Sequence, residues 1–161
     1  MITPTIRPIQ KKDNVPIAKV IRTVLIEHGV PKVGTAYADK ALDEMFETYQ
    51  KERATYFVVE ENGALIGGAG VAPLDNYEGN VCELQKMYFL KEARGRGIGK
   101  AMIKLCLLEA RKYGFESCYL ETMPNMENAQ KLYQLAGFDY IDGPMGDTGH
   151  HACPVHMIKP L

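Results

Sequence analysis

The stretch Arg94-Gly95-Arg96-Gly97-Ile98-Gly99-Lys100 decides how this chain is read. An apolar run, Val81 to Phe89, leads into it, and apolar residues at helical spacing from Ile98 to Tyr113 lead out of it. Strand, glycine-rich turn and helix follow one another directly. The first N–H groups of such a helix have no intrahelical partner, and the helix dipole adds partial positive charge at the same end. A turn of this kind is an anion site, and a pyrophosphate fits it best. The glycines let the backbone close on a ligand without Cβ clashes. Arg94, Arg96 and Lys100 add charge for further phosphates.

Two common phosphate motifs fail here. The Walker pattern requires Ser or Thr after Gly-Lys, but Ala101 follows Lys100, and Arg94 stands where the first glycine belongs. The dinucleotide pattern Gly-x-Gly-x-x-Gly needs a glycine at Lys100 or at Met102. What remains is Arg-x-x-Gly-x-Gly, inside the longer run Met87-Tyr88-Phe89-Leu90-Lys91-Glu92-Ala93-Arg94-Gly95-Arg96-Gly97-Ile98-Gly99. It resembles the acyl-CoA signature of the GNAT superfamily of N-acetyltransferases. Lys91 stands where that family usually carries proline, a departure that bears on loop stiffness and not on the phosphate site.

Of the 161 residues 46% are hydrophobic, which suits one globular domain with a real core. A net charge of −1 gives no reason to look to nucleic acid or an anionic membrane as partner. No run is apolar enough to span a bilayer, no signal peptide is evident, and Met1-Ile2-Thr3-Pro4 leads almost directly into a strand. The expected compartment is cytoplasmic. Cys82, Cys106, Cys118 and Cys153 show no Cys-x-x-Cys spacing and read as reduced thiols.

Periodicity predicts strands over Thr5–Pro8, Thr55–Glu60, Ala64–Val71, Val81–Phe89, Ser117–Thr122, Phe138–Ile141 and Val155–Lys159. It predicts helices from Asp13, as N-cap, to Glu27, from about Ala38 to Gln50, from Ile98 to Tyr113, and over Met126–Ala136 with Asn125 as cap. This is an α/β domain over residues 1–161, with a mixed central sheet of about seven strands and about four helices. The order also looks like the whole GNAT fold.

A second block, Ala129-Gln130-Lys131-Leu132-Tyr133-Gln134-Leu135-Ala136-Gly137-Phe138, is similar to the GNAT helix ending Leu-Tyr-x-x-x-Gly-Phe. The resemblance implies that Tyr133 protonates the departing CoA thiolate as general acid. Family members often place an asparagine seven residues earlier. Met126 occupies that position, and Asn125 or Asn128 flanks it, Asn128 being preferred. The resemblance further implies that main-chain groups of Met87, Tyr88 and Phe89 bind the pantetheine and thioester, while Arg94, Gly95, Arg96, Gly97, Ile98, Gly99 and Lys100 take the pyrophosphate.

The alternation of Val81–Phe89 puts Glu83, Gln85, Met87 and Phe89 on one face and Leu84, Lys86 and Tyr88 on the other. A carboxylate inside a mostly apolar strand is unusual, which makes Glu83 a candidate base for the attacking amine, acting through water. A loop histidine or water alone is the rival. His150, His151, Cys153 and His156 cluster in the Gly/His-rich segment after Ile141. They straddle a loop and a strand without metal-ligand spacing, so His150 and His151 read better as contacts for the acceptor amine, and no metal is expected.

These features imply an acetyl-CoA-dependent N-acetyltransferase that moves acetyl directly to an amine. The alternative is a non-catalytic acyl-CoA-binding sensor or docking module with the same glycine turn. A nicotinamide oxidoreductase is disfavoured by the failed glycine pattern. The acceptor, a small molecule or a peptide amine, is not encoded in any motif. Amino acid, polyamine, aminoglycoside and protein N-terminus stay open, and a homodimer is possible as for many soluble enzymes.

Overall fold

Tyr56-Phe57-Val58-Val59 is buried at every residue, the mark of a strand covered on both faces. It lies in β2 (Thr55–Glu61). The computed structural model describes residues 3–161; Met1 and Ile2, expected to lead into the first strand, lie outside them. β1 (Thr5–Pro8), β2, β3 (Ala64–Pro73) and β4 (Val81–Phe89) pair antiparallel in that order. β5 (Ser117–Thr122) joins β4 in parallel, and β7 (Val155–Pro160) and β6 (Asp139–Ile141) complete the order β1-β2-β3-β4-β5-β7-β6. The mixed seven-stranded sheet is the one expected.

α1 (Asn14–Glu27) covers one face with Ile17, Ile21 and Leu25, against Tyr56 and Val58. α3 (Ile98–Lys112) covers the other with Met102, Ile103 and Cys106, against Phe57, Val59 and Leu120. Asp13 holds the N-cap position of α1, but its carboxylate turns back. It accepts from the Gln10 N–H at 2.7 Å and from Arg7 at 2.8 and 3.0 Å, tying β1 to the helix start.

The helix expected over 38–50 does not form as one piece. Turns of 3-10 type at Ala36–Ala38 and Lys40–Asp43 precede a single α-turn, α2 (Met45–Thr48). Leu42, Met45 and Tyr49 are buried, as their spacing required. The backbone breaks at Asp39 and Glu44 because tertiary partners claim its groups. The Asp39 carboxylate meets His150 and Lys86, and the Phe46 N–H donates to the Asn14 side chain at 2.8 Å.

The alternation expected along β4 fails at Lys86. Its φ is +49°, and the register against β3 slips between Gly68 and Gly70. The bulge changes parity. Glu83 and Gln85 face the α1 side, whereas Met87 and Phe89 pack with the α3 cluster. The Tyr56 hydroxyl fixes the bulge by donating to the Lys86 carbonyl at 2.8 Å. Its ring crosses β3 where Gly68 and Gly70 present no side chain. A Cβ on Gly68 would stand 2.7 Å from the Tyr56 Oη.

Gly68→Ala should therefore push Tyr56 off the bulge and destabilise the fold by about 1–3 kcal/mol. The expected readout is a fall of several degrees in Tm. Gly143→Ala is the control, since a Cβ there meets nothing within 4 Å, and its Tm should be unchanged.

Candidate active site

β4 and β5 are paired only over Val81–Glu83 and Ser117–Tyr119. Beyond Glu83 they part, and a cleft of about 520 Å³ opens between the end of β4, the start of α3 and α4 (Glu127–Leu135). The Leu90 N–H donates to Ile66 of β3 at 2.9 Å. Strand alternation then turns the N–H groups of Met87 and Phe89 away from β3 and toward the cleft. The Phe89 carbonyl is already taken, accepting from the Arg94 guanidinium at 2.9 and 3.1 Å.

At the cleft's other end Gly95 and Gly97 have φ of +72° and +79°, and a Cβ on either would meet nothing within 4 Å. Their left-handed backbone and the open space in front of them form a cradle capped by the N-terminus of α3. Gly99 has another task. A Cβ there would stand 3.0 Å from Leu132, so the missing side chain lets α3 pack against α4. Both arginines expected to add charge for phosphates are ion-paired in the structure. Arg94 pairs with Glu27 at 2.8 Å and braces Phe89, and Arg96 pairs with Glu61 and the Glu92 carbonyl. Lys100 lines the cleft without an ion pair among the described residues.

Across β4 lies a polar cavity of about 30 Å³, room for one or two waters. Glu83, Gln85, Lys86, Glu121, His150 and Cys153 line it. Glu83 is 5% exposed. Burial pushes its carboxyl up to about 7; Gln85, donating at 2.6 Å, pulls the other way, and the Glu121 charge adds to the rise. Burial presses on the His150 imidazole, but the Asp39 carboxylate, 2.7 Å from Nε2, outweighs it and holds the ring above its ordinary value. Its Nδ1 faces Glu121 at 4.0 Å. Glu121 also accepts from Tyr119 at 2.6 Å and from Thr148. Asp39 and Glu121, absent from the sequence reading, thus complete the site.

The two loop histidines part company. His150 enters the cavity, whereas His151 is exposed and lies against Gly34 outside it. His156 sits on Tyr119 at 3.0 Å. Among the described residues no group of three or more His, Cys, Asp and Glu is arranged to hold a metal ion. Burial pushes the Cys153 thiol up to about 11.

Tyr133 is 6% exposed, edge-on to Phe138 at 6.1 Å, and makes no hydrogen bond among the described residues. Every fully enclosed side-chain oxygen or nitrogen there has a partner, so the Tyr133 hydroxyl keeps an outlet to open space. Burial holds its phenol well above the ordinary value. Tyr88 lines both cleft and cavity and electrostatically senses Tyr133; its side chain was not singled out from sequence. Asn125 does not cap α4, which starts one residue later with Met126 as N-cap. Its amide donates instead to the His28 carbonyl. Asn128 lines the cleft, and its amide has no hydrogen-bond partner among the described residues.

Comparison with known proteins agrees with this geometry. The sequence matches the acetyltransferase (GNAT) family over residues 24–138. It is 42% identical over 160 residues to the uncharacterized N-acetyltransferase YjgM of Escherichia coli (strain K12), covering 99% of this chain and 96% of that protein. The fold is similar to that of a GNAT-family acetyltransferase from Staphylococcus aureus Mu50, with a TM-score of 0.87, 20% identity and 99% of each chain covered. It is also similar to a GNAT superfamily phosphinothricin acetyltransferase from Sinorhizobium meliloti, solved in complex with acetyl-CoA, with a TM-score of 0.75, 26% identity, and 99% of this chain and 89% of that one covered. The chain belongs to the GNAT family of acetyltransferases. It is an N-acetyltransferase, and acetyl-CoA is its acetyl donor. Among the described residues no helix is long and apolar enough to cross a membrane.

If the cradle takes the pyrophosphate, Gly97→Glu should abolish acetyl-CoA binding in calorimetry, by bulk and by like charge. Lys100→Ala should weaken it about tenfold, in the range of a charge-assisted contact. Arg96→Ala, whose guanidinium is already paired, should weaken it less.

Proposed function

We propose that the whole chain, residues 1–161, is one catalytic domain that transfers acetyl directly from acetyl-CoA to an acceptor whose amine group reaches the mouth of the small polar cavity. The observation that carries this reading is the division of labour across β4. Open main-chain N–H groups and a glycine cradle lie on one side, and a buried carboxylate beside water-sized space lies on the other. The N–H groups of residues 97–100 would hold the pyrophosphate at the start of α3. Asn128 would reach the cofactor arm from α4. The Met87 N–H would stabilise the oxyanion as the amine nitrogen bonds to the thioester carbon. Glu83 would accept the amine proton through water. As the C–S bond breaks, the Tyr133 hydroxyl would supply the proton that the sulfur takes, so one proton enters and one leaves the protein.

Glu83 is favoured over His150 because both ring nitrogens of His150 already face carboxylates. Direct transfer is favoured over an acyl-enzyme because a thiol pushed up to about 11 is a poor nucleophile at neutral pH. The phosphinothricin enzyme and a structurally similar N-acetylglutamate synthase from Neisseria gonorrhoeae support a small amine as acceptor, and His150 would contact it. The reduced cysteines expected from sequence support a cytoplasmic setting.

Because burial raises the carboxyl, the ionised base predominates only above about pH 7. The kcat/KM profile should fall on the acid side with a midpoint near that value. Glu83→Gln should lower the rate at neutral pH by about 10²–10⁴-fold and remove that limb. An unchanged limb would assign the base elsewhere. Tyr133→Phe keeps the ring against Phe138 and removes only the hydroxyl. It should reduce kcat by about an order of magnitude or more, with acetyl-CoA affinity nearly unchanged. Tyr88→Phe, tested beside it, shows whether the neighbouring phenol shares the role.

A further inference from the structure

We propose that Tyr49 and Gln85 are positioning residues for Glu83: Tyr49 fixes which way the Gln85 amide points, and that amide holds the Glu83 carboxylate in its ionised form beside the cavity. The proposal rests on Glu83 being the proton acceptor.

The chain of contacts has one consistent direction. The Tyr49 hydroxyl lies 2.6 Å from Gln85 Oε1, its one hydrogen-bond partner among the described residues. A buried phenol with a single acceptor in reach must donate to it. The amide oxygen therefore faces Tyr49 and the NH₂ faces Glu83, where Nε2 donates to Oε1 at 2.6 Å. With the amide turned the other way, an oxygen would meet a carboxylate oxygen, and the pair would repel or require a proton. A donor that cannot accept favours the charged carboxylate. It opposes the desolvation imposed by the surrounding side chains. Burial, reinforced by the Glu83 charge, keeps the Tyr49 phenol well above its ordinary value, so it remains a donor throughout the working range. The ring is held in place by Tyr56, with centroids 5.2 Å apart.

The amide orients and does not conduct. Passing a proton through it would require an imidic acid, so the chain is no exit path to solvent. Three charged groups act on Glu83 without a direct hydrogen bond: Glu121 from β5, Lys86 from β4 and His150 from the loop. The neutral Tyr119 and Cys118 of β5, Tyr88 of β4 and Cys153 of the loop lie near enough to feel its charge. Gln85 is the direct donor among the described residues, and its removal should register on Glu83 before anything else.

The test reads the carboxyl itself. Full-length protein carrying glutamate labelled at the side-chain carboxyl is titrated by ¹³C NMR, with the Glu83 signal assigned by its loss in Glu83→Gln. In Gln85→Leu the midpoint should rise by about one to two pH units, the loss of one hydrogen bond to a charged group. Tyr49→Phe keeps the ring on Tyr56 and frees the amide to turn; its midpoint should move the same way by less. Should Gln85→Leu fail to fold, Tyr49→Phe still decides. Midpoints at the wild-type value in these variants would overturn the orienting role. A second reading separates that failure from failure of the base assignment. L-amino acids, polyamines and aminoglycosides are screened by thiol release, and the fastest acceptor is used for kcat/KM profiles. An acid limb that moves with the NMR midpoint supports the proposal. A moved midpoint with an unmoved limb would show that Glu83 is not the base and overturn the catalytic role of the chain.

Discussion

The hydrogen bond from the Tyr56 hydroxyl to the Lys86 carbonyl, 2.8 Å long, is the contact on which the rest of the site depends. It holds a non-glycine residue at φ +49° within the β4 strand, a conformation that the chain does not adopt without support. The resulting bulge changes the parity of β4. Glu83 is delivered to one face, Met87 and Phe89 to the other. Parallel pairing with β5 extends only through Glu83, so the next main-chain N–H groups are left for a ligand. One side-chain contact thus decides which β4 residues face the cleft and which face the cavity.

The cavity side of β4 is a problem in buried charge. Three carboxylates, those of Asp39, Glu83 and Glu121, share a small region with Lys86 and His150. Burial by itself pushes a carboxyl up. Asp39 escapes because His150 and Lys86 hold it below its ordinary value. Glu121 has hydroxyl donors and two nearby imidazoles. Glu83 has the Gln85 amide as its one direct hydrogen-bond donor among the described residues, with His150 and Lys86 opposing burial from farther off, and burial still pushes it up to about 7. A general base works best when its value lies close to the working pH, which suits Glu83 to the proposed task.

Much of this was legible in the residues, because the decisive signals are local. The glycine turn, β4, α3 and the Tyr133 helix sit close to where periodicity places them. The bulge was not, since strict alternation cannot report a contact from another strand. A sign was present all the same: Gly67-Gly68-Ala69-Gly70 puts three glycines in one strand, and such a strand lets another group approach closely. Here those groups are Phe89 and the Tyr56 ring. The helix expected over 38–50 showed real apolar spacing, but tertiary hydrogen bonds broke its backbone. The ion pairs of Arg94 and Arg96 were not foreseeable because their carboxylate partners are 67 and 35 residues away in sequence. His150 and His151 are neighbours that the loop sends to different sides, and no period in a loop foretells that.

The gap between β4 and β5 beyond Glu83 is where the thioester should bind. A crystal structure of the chain with acetyl-CoA tests it most directly. The account predicts the pyrophosphate on the N–H groups of residues 97–100, the thioester oxygen on the Met87 N–H, and the sulfur within hydrogen-bond reach of the Tyr133 hydroxyl. A cofactor lying elsewhere, or a β4 that closes onto β5 beyond Glu83 when acetyl-CoA binds, would contradict it.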